Sequence, residues 1–132
     1  MAQRDVVLRW IEEFGRLIAR LLRRGAAGDL DQALEEVDRA TTDLLGGLAP
    51  LVPRLDAASA ATLLDDPERI FAWAQLLELR GIVREARGDL AAAAADRTRA
   101  LDLAREACRR GRIPRPDWAE WVSARSQERP GG

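Results

Sequence analysis

The chain has 132 residues, 47% hydrophobic and 33% charged, the proportions of a folded globular protein long enough to bury a core without staples. Its 21 basic residues stand against 22 acidic ones, a formal charge of -1 that points to neither nucleic acid nor an anionic membrane. His and Tyr are absent and there is one cysteine; this excludes imidazole acid–base catalysis, Ser-His and Cys-His nucleophile pairs, His- or Cys-built metal sites, phenolic acids and any intrachain disulfide.

Val7, Ile11, Phe14, Ile18 and Leu21 recur at alternating steps of four and three, with Val6, Trp10, Leu17 and Leu22 beside them, and predict a helix over 5–24. The apolar arc is wider than one seam, so this helix is expected to touch two neighbours, or a neighbour and a partner chain. Arg9, Arg16, Arg20 and Arg23 line its other side and offer a membrane-surface alternative. Against that alternative, residues 1–24 hold six arginines and three acids, whereas 29–48 hold six acids and only Arg39, a balance that favours pairing between the two helices. Arg and Glu interrupt every apolar run near the start, so neither a secretion signal nor a spanning helix is expected, and the expected location is the cytoplasm.

After the turn Gly25-Ala26-Ala27-Gly28, a second helix is expected to open on an Asp29/Gln32 capping box and to run through Leu30, Leu34, Val37, Thr41, Leu44 and Leu48, completing a hairpin over 5–48. Gly46-Gly47, Pro50 and Pro53 break the chain. A short helix over 57–65 follows behind Asp56, and Asp66-Pro67 reads as N-cap and first helical position of the next. There, Ile70, Phe71, Trp73, Leu76, Leu77, Leu79, Ile82 and Val83 cover most of the circumference, which predicts a central helix. Gly88 ends it, Asp89 is expected to cap a helix over 90–110, and the two form a hairpin over 67–110. Beyond Pro114, residues 116–125 are expected to make a short helical flap and 127–132 a disordered tail. No stretch alternates as a strand does. The expected fold is all-α, one domain over 1–126, a compact bundle of about five helices.

Leu77, Gly81, Gly88-Asp89-Leu90, Ala93, Ala100, Leu101 and Leu103 stand at the spacing of a tetratricopeptide repeat, and residues 74–103 resemble one such helix hairpin. In that resemblance Gly81 and Ala93 let the two helices approach closely and Ala100 does the same toward the next helix. Arg84 and Arg97 depart from it, standing where the family carries large apolar residues. Gly28-Asp29-Leu30, Ala33 and Ala40 echo the later corner, suggesting two hairpins of one kind. More loosely, Arg4-Asp5-Val6-Val7-Leu8-Arg9-Trp10-Ile11-Glu12 with the closing hairpin is similar to a bacterial family of small helical proteins of unknown function, which implies no mechanism.

Carboxylates are the remaining acid–base groups, but the pairs Glu12-Glu13, Glu35-Glu36 and Asp65-Asp66 are sequence neighbours, and neighbours on a helix diverge by about 100°. A carboxylate hydrolase would need acids converging from different helices. No Gly-rich phosphate loop is present, and no cofactor, metal or small molecule is expected. The basic run over 105–115 lacks interleaved aromatics, so nucleic acid is not expected either. Cys108 extends the row of Leu101 and Ala104 and is expected to be a buried structural thiol. Arg87-Gly88-Asp89 spells an adhesion tripeptide but sits at the corner of a hairpin, where all three residues have structural roles. The expected function is a non-enzymatic protein–protein interaction or scaffolding module whose partner is another protein or a second copy of the chain. Trp10, Phe14, Arg84, Arg97, Trp118 and Trp121 are the candidate contact residues; Trp118 and Trp121 serve either as a buried flap or as an exposed anchor.

Overall fold

The computed structural model describes the backbone over 2–112 and 115–128, and the side chains over 11–26, 28–112 and 115–128. Among these residues the chain is all-helical. Six α-helices follow one another: α1 Ala2–Arg24, α2 Ala27–Leu45, α3 Ala57–Leu64, α4 Pro67–Ala86, α5 Leu90–Arg110 and α6 Pro116–Gln127. Two 3-10 turns, Gly46–Leu48 and Val52–Arg54, bridge α2 to α3 around the proline-rich break.

Local chemistry explains most boundaries. Asp56 caps α3 by accepting from the Ser59 amide at 3.2 Å, and Asp66 caps α4 by accepting from the Glu68 amide at 3.0 Å, with Pro67 opening the helix. Asp65 ends α3 in the left-handed region at φ 52, a conformation its short polar side chain tolerates. Other expectations are corrected. The described residues form six α-helices, not about five. The second begins at Ala27, capped by the backbone at Ala26, and the Asp29/Gln32 box is not made. Gly25, at φ 68, turns the chain so sharply that the helix starts before Asp29 is reached. Asp89 also makes no capping bond. Instead the corner closes through the backbone, with the Gly88 amide donating to Glu85 O at 3.0 Å and the Asp89 amide to Arg84 O at 2.8 Å, while Gly88 takes φ 90. Residue 127, expected in the tail, is the last of α6; the rest of that tail, beyond Glu128, lies outside the described residues.

Helix α4 is the centre of the packing. Its Leu76 and Val83 join Phe14, Ile18 and Leu21 of α1 and Ala33, Val37 and Ala40 of α2 in one cluster. Its Ile70, Phe71, Trp73, Ala74 and Leu77 join Ala60, Ala61 and Leu64 of α3, Ala100, Leu103, Ala104 and Ala107 of α5 and Trp118 of α6 in a second. The two faces of α1 expected to meet two neighbours therefore meet α2 and α4. At the α4–α5 crossing a Cβ on Gly81 would stand 3.2 Å from Ala93 O and 3.0 Å from Arg97 Cγ, so a larger residue would have to push α5 away by a few tenths of an ångström. Arg69 of α4 reaches the open end of α2, where Nε donates to Leu44 O at 2.9 Å and Nη2 donates to Leu45 O.

The pairing of α1 with α2 by charge is also corrected. Among the described residues no ion pair joins these two helices; the acids of α2 turn to α4, with Asp38 on Arg80 at 3.4 Å and Asp31 on Arg87 at 3.2 Å. Arg16, Arg20 and Arg23 sit on the face of α1 opposite Ile11, Phe14 and Ile18, pointing away from α2 into solvent.

Candidate functional site

The six residues singled out by sequence do not converge. Phe14, 9% exposed, belongs to the core beside Ile18, because the apolar arc of α1 is consumed by its two neighbours. The side chain of Trp10 lies outside the described residues. Arg84 and Arg97 are tied into the α4–α5 hairpin. Arg84 Nη1 donates to Asp96 Oδ2 at 2.9 Å, Arg80 grips the same carboxylate through Nε and Nη2 at 3.1 and 2.9 Å, and Arg97 pairs with Glu85. Asp96 is 5% exposed, and a buried carboxylate needs such partners. Arg84 and Arg97 are thus held in an ionic clasp across the α4–α5 hairpin, their side chains 27% and 29% exposed.

Trp118 is a buried plug, 1% exposed, its ring stacked on Phe71 at 4.6 Å between centroids and covered by the Arg115 guanidinium at 4.6 Å. This settles it as flap and corrects the exposed-anchor alternative. Trp121 meets Phe71 edge-on at 5.5 Å and carries the Arg125 guanidinium 3.7 Å above its ring, leaving it half-buried. Cys108, expected to be buried, is exposed. Leu101 and Ala104 of its row are buried, but the buried face of α5 continues through Leu103 and Ala107, which leaves Cys108 just outside it. Partial desolvation, with Asp117 nearby, pushes its thiol above the ordinary value, which favours the thiol over the thiolate.

Contact registers define how the helices run. Pairs Asp31–Arg87 and Asp38–Arg80 descend along α2 as they ascend along α4, so these helices are antiparallel. A two-residue turn folds α2 back along α1, so α1 runs with α4. Along α6 the contacts Arg115–Glu68 and Arg125–Glu78 ascend together, so α6 runs with α4 as well. Three parallel helices, α1, α4 and α6, thus border one groove of about 200 Å³, to which α2 and α5 contribute nothing. Ile11 and Gly15 form the α1 wall, Leu79 and Ile82 the floor, and Trp121 and Arg125 the α6 wall. Glu12 and Glu78 lie at the rims; Glu78 pairs with Arg125 at 3.7 Å, whereas Glu12 is exposed and has no ion pair among the described residues. Burial pulls the Arg125 guanidinium below its ordinary value, and Glu78 pulls it back up.

At this groove Gln75 Oε1 is buried without a hydrogen-bond partner, and Arg125 Nε has only its 3.7 Å ion pair with Glu78; Trp118 Nε1, whose ring lies on Phe71 one turn from Gln75, is also buried without one. An unpaired buried group costs about 1–3 kcal/mol. A larger hollow of about 530 Å³ lies between the α3–α4 corner and the end of α5, bordered by Asp65, Glu68, Arg110, Arg112 and Trp118. It is less suited to an apolar partner, because Glu68 already holds Arg115 at 2.9 Å and Arg110 holds Glu106 and Thr62. No group of three acids or thiols among the described residues could hold a metal ion. No described helix is long and apolar enough to cross a membrane, and the apolar half of α1 from Ile11 onward is already buried.

No family model, curated protein or solved structure matches the chain.

Sequence reasoning missed Leu79, Ile82 and Gln75 as site residues. The available signal was the excess of apolar positions on α4: its five neighbours bury Ile70, Phe71, Trp73, Leu76, Leu77 and Val83, but leave Leu79 and Ile82 only partly covered.

Proposed function

We propose that the chain is a non-enzymatic protein-docking module, built of two tetratricopeptide-like hairpins closed by α6, that receives a short extended segment of another protein in the α1–α4–α6 groove. The observation that carries this reading is the floor of Leu79 and Ile82 between Ile11 and Trp121, an apolar surface left open on the most heavily packed helix of the fold. A space of about 200 Å³ takes one or two apolar side chains, not a second helix. Glu12 at the open rim favours a basic residue beside the apolar one. The order of parallel and antiparallel helices supports the resemblance carried by Leu77, Gly81, Ala93 and Ala100, and Ala93 and Ala100 are buried where close approach is required.

The test is selection of short peptides on immobilised full-length protein, with Ile82→Glu as the groove variant and the pair Arg16→Glu, Arg20→Glu as a control on the outer face of α1. Peptides joining an apolar to a basic residue, lost with Ile82→Glu and kept with the control, support the reading. Peptides that bind both variants equally, or that need the α1 arginines, overturn it.

A further inference from the structure

Every arginine of α4, α5 and α6 holds an acid or a backbone carbonyl, as in the ion pairs of Arg80, Arg97 and Arg125 and the bonds of Arg69 and Arg99. Helix α1 is different. Arg16, Arg20, Arg23 and Arg24 are exposed and make no ion pair or hydrogen bond among the described residues. Glu13, Arg16, Arg20 and Arg23 recur at steps of three and four and so share one side of the helix. There they stand around Ala19 and leave a shallow hollow of about 660 Å³ above it. Helix α2 carries a matching face. Asp29, Gln32, Glu35 and Arg39 recur at the same steps, turned from the side on which Asp31 and Asp38 meet α4. Asp29 and Glu35 have no ion pair among the described residues, and Arg39 has only Glu36 of its own helix, at 3.5 Å with its side chain 67% exposed. The turn at 25–26 sets Arg24 level with Ala27. Counted back from there at equal rise, Glu13 stands at the height of Arg39, Arg16 at that of Glu35, Arg20 at that of Gln32 and Arg23 at that of Asp29, to within one residue's rise. At three of these heights the two faces carry opposite charges, and at the fourth an amide stands against a cation. Within the chain both faces point outward, and the complementarity is unused.

We propose that two copies of the chain associate through this hairpin face, α1 of each lying antiparallel on α2 of the other. A two-fold axis running along the hairpin, between its helices, preserves height and direction. Arg16 of one copy then meets Glu35 of the other, Arg23 meets Asp29, Glu13 meets Arg39, and Gln32 enters the hollow over Ala19. Each contact is made twice. A two-fold axis across the hairpin would set the α1 arginines on one another, so the charges select the first arrangement. Exposed ion pairs are individually weak, and the face offers no large exposed apolar residue as an anchor. The association therefore depends on many pairs acting together, rises with concentration and is screened by salt. The groove lies on another side of α1, at Ile11 and Gly15, so the inference goes beyond the docking reading and stands without it.

The experiment follows the mass of the full chain by sedimentation velocity up to about 1 mM, at low salt and at about 0.5 M sodium chloride. Arg16→Glu with Arg20→Glu reverses the α1 face, and Gln32→Arg with Glu35→Arg reverses the α2 face. All four sites are exposed, so the circular dichroism spectra should match the wild type. A doubled mass is expected at low salt, with self-association weakened at least about tenfold by high salt or by either variant alone. Mixing the two variants in equal amounts should restore it, because each mixed dimer has one contact of native sign and one with both signs exchanged. A chain that stays monomeric at low salt overturns the proposal, whether or not its α1 arginines bind phosphatidylglycerol vesicles instead. So does a dimer that survives either variant, or a mixture that stays monomeric.

Discussion

Replacing Trp118 by phenylalanine should cost almost nothing, although the residue is 1% exposed and among the largest in the core. Full truncation is the reference. An indole buries roughly 200 Å², worth about 5 kcal/mol at 25 cal/mol per Å². Phenylalanine keeps the ring that stacks on Phe71 at 4.6 Å and gives up about 1 kcal/mol of burial. It also deletes the Nε1–H, which is buried without an acceptor, and so recovers about 1–3 kcal/mol. The two contributions cancel or leave a gain of up to about 2 kcal/mol. Trp118→Ala recovers the same orphan group but loses the whole stack, for a net cost of about 2–4 kcal/mol, limited to the free energy of seating α6. Urea unfolding followed by circular dichroism at 222 nm measures both variants. A loss of more than about 2 kcal/mol for Trp118→Phe would show that the indole N–H has a partner in solution.

Three further outcomes are expected. Gly88→Val should lose at least about 1–2 kcal/mol, because φ 90 strains any branched side chain, whereas Asp89→Ala should stay within about 0.5 kcal/mol, since that carboxylate makes no capping bond; thermal melts of the two variants decide. Desolvation raises the Asp117 carboxyl, but the bonds and charge of Arg115 outweigh it and hold the group below its ordinary 3.8. Asp117 therefore contributes stability in full above about pH 3.8 and loses it as pH falls through the lower folded value, so the acid transition in tryptophan fluorescence should change in Asp117→Asn, and an unchanged transition would contradict the Arg115 contact. Cys108 should react with a thiol reagent in the native chain at a rate still climbing beyond pH 9.0; a requirement for urea, or a plateau near neutrality, would contradict its exposure or its raised pKa.

What the sequence made legible was local. Asp56 and Asp66-Pro67 cap the helices they precede, Gly88 takes its positive φ, and the four-three spacing of Ile11, Phe14, Ile18 and Leu21 marks buried positions. These signals depend on neighbours in the chain. Partners across the fold were less legible. Net charge assigns the acids of α2 to α1, but Asp31 and Asp38 lie on the side of α2 that faces Arg87 and Arg80, a matter of azimuth that a sum of charges does not contain. In sequence, Arg84 and Arg97 look like free cations because their acids, Asp96 and Glu85, lie on the opposite helix of the hairpin. Cys108 lies just outside the buried face of α5, within the error of reading a helical face from alanines. Periodicity assigns Leu79 and Ile82 to the core because it reports apolar surface, not whether a neighbour arrives to cover it. Exposure read from sequence therefore retains Trp121 of the groove and misses its floor.

The most direct measurement of the docking account is a calorimetric titration of a peptide selected on the native protein into the wild-type chain and into Ile82→Glu. A charge buried on the groove floor should remove a contact worth at least about 2 kcal/mol, weakening binding roughly thirtyfold or more while the circular dichroism spectrum stays that of the wild type. Equal affinity for the two chains would place the binding surface elsewhere and contradict the account.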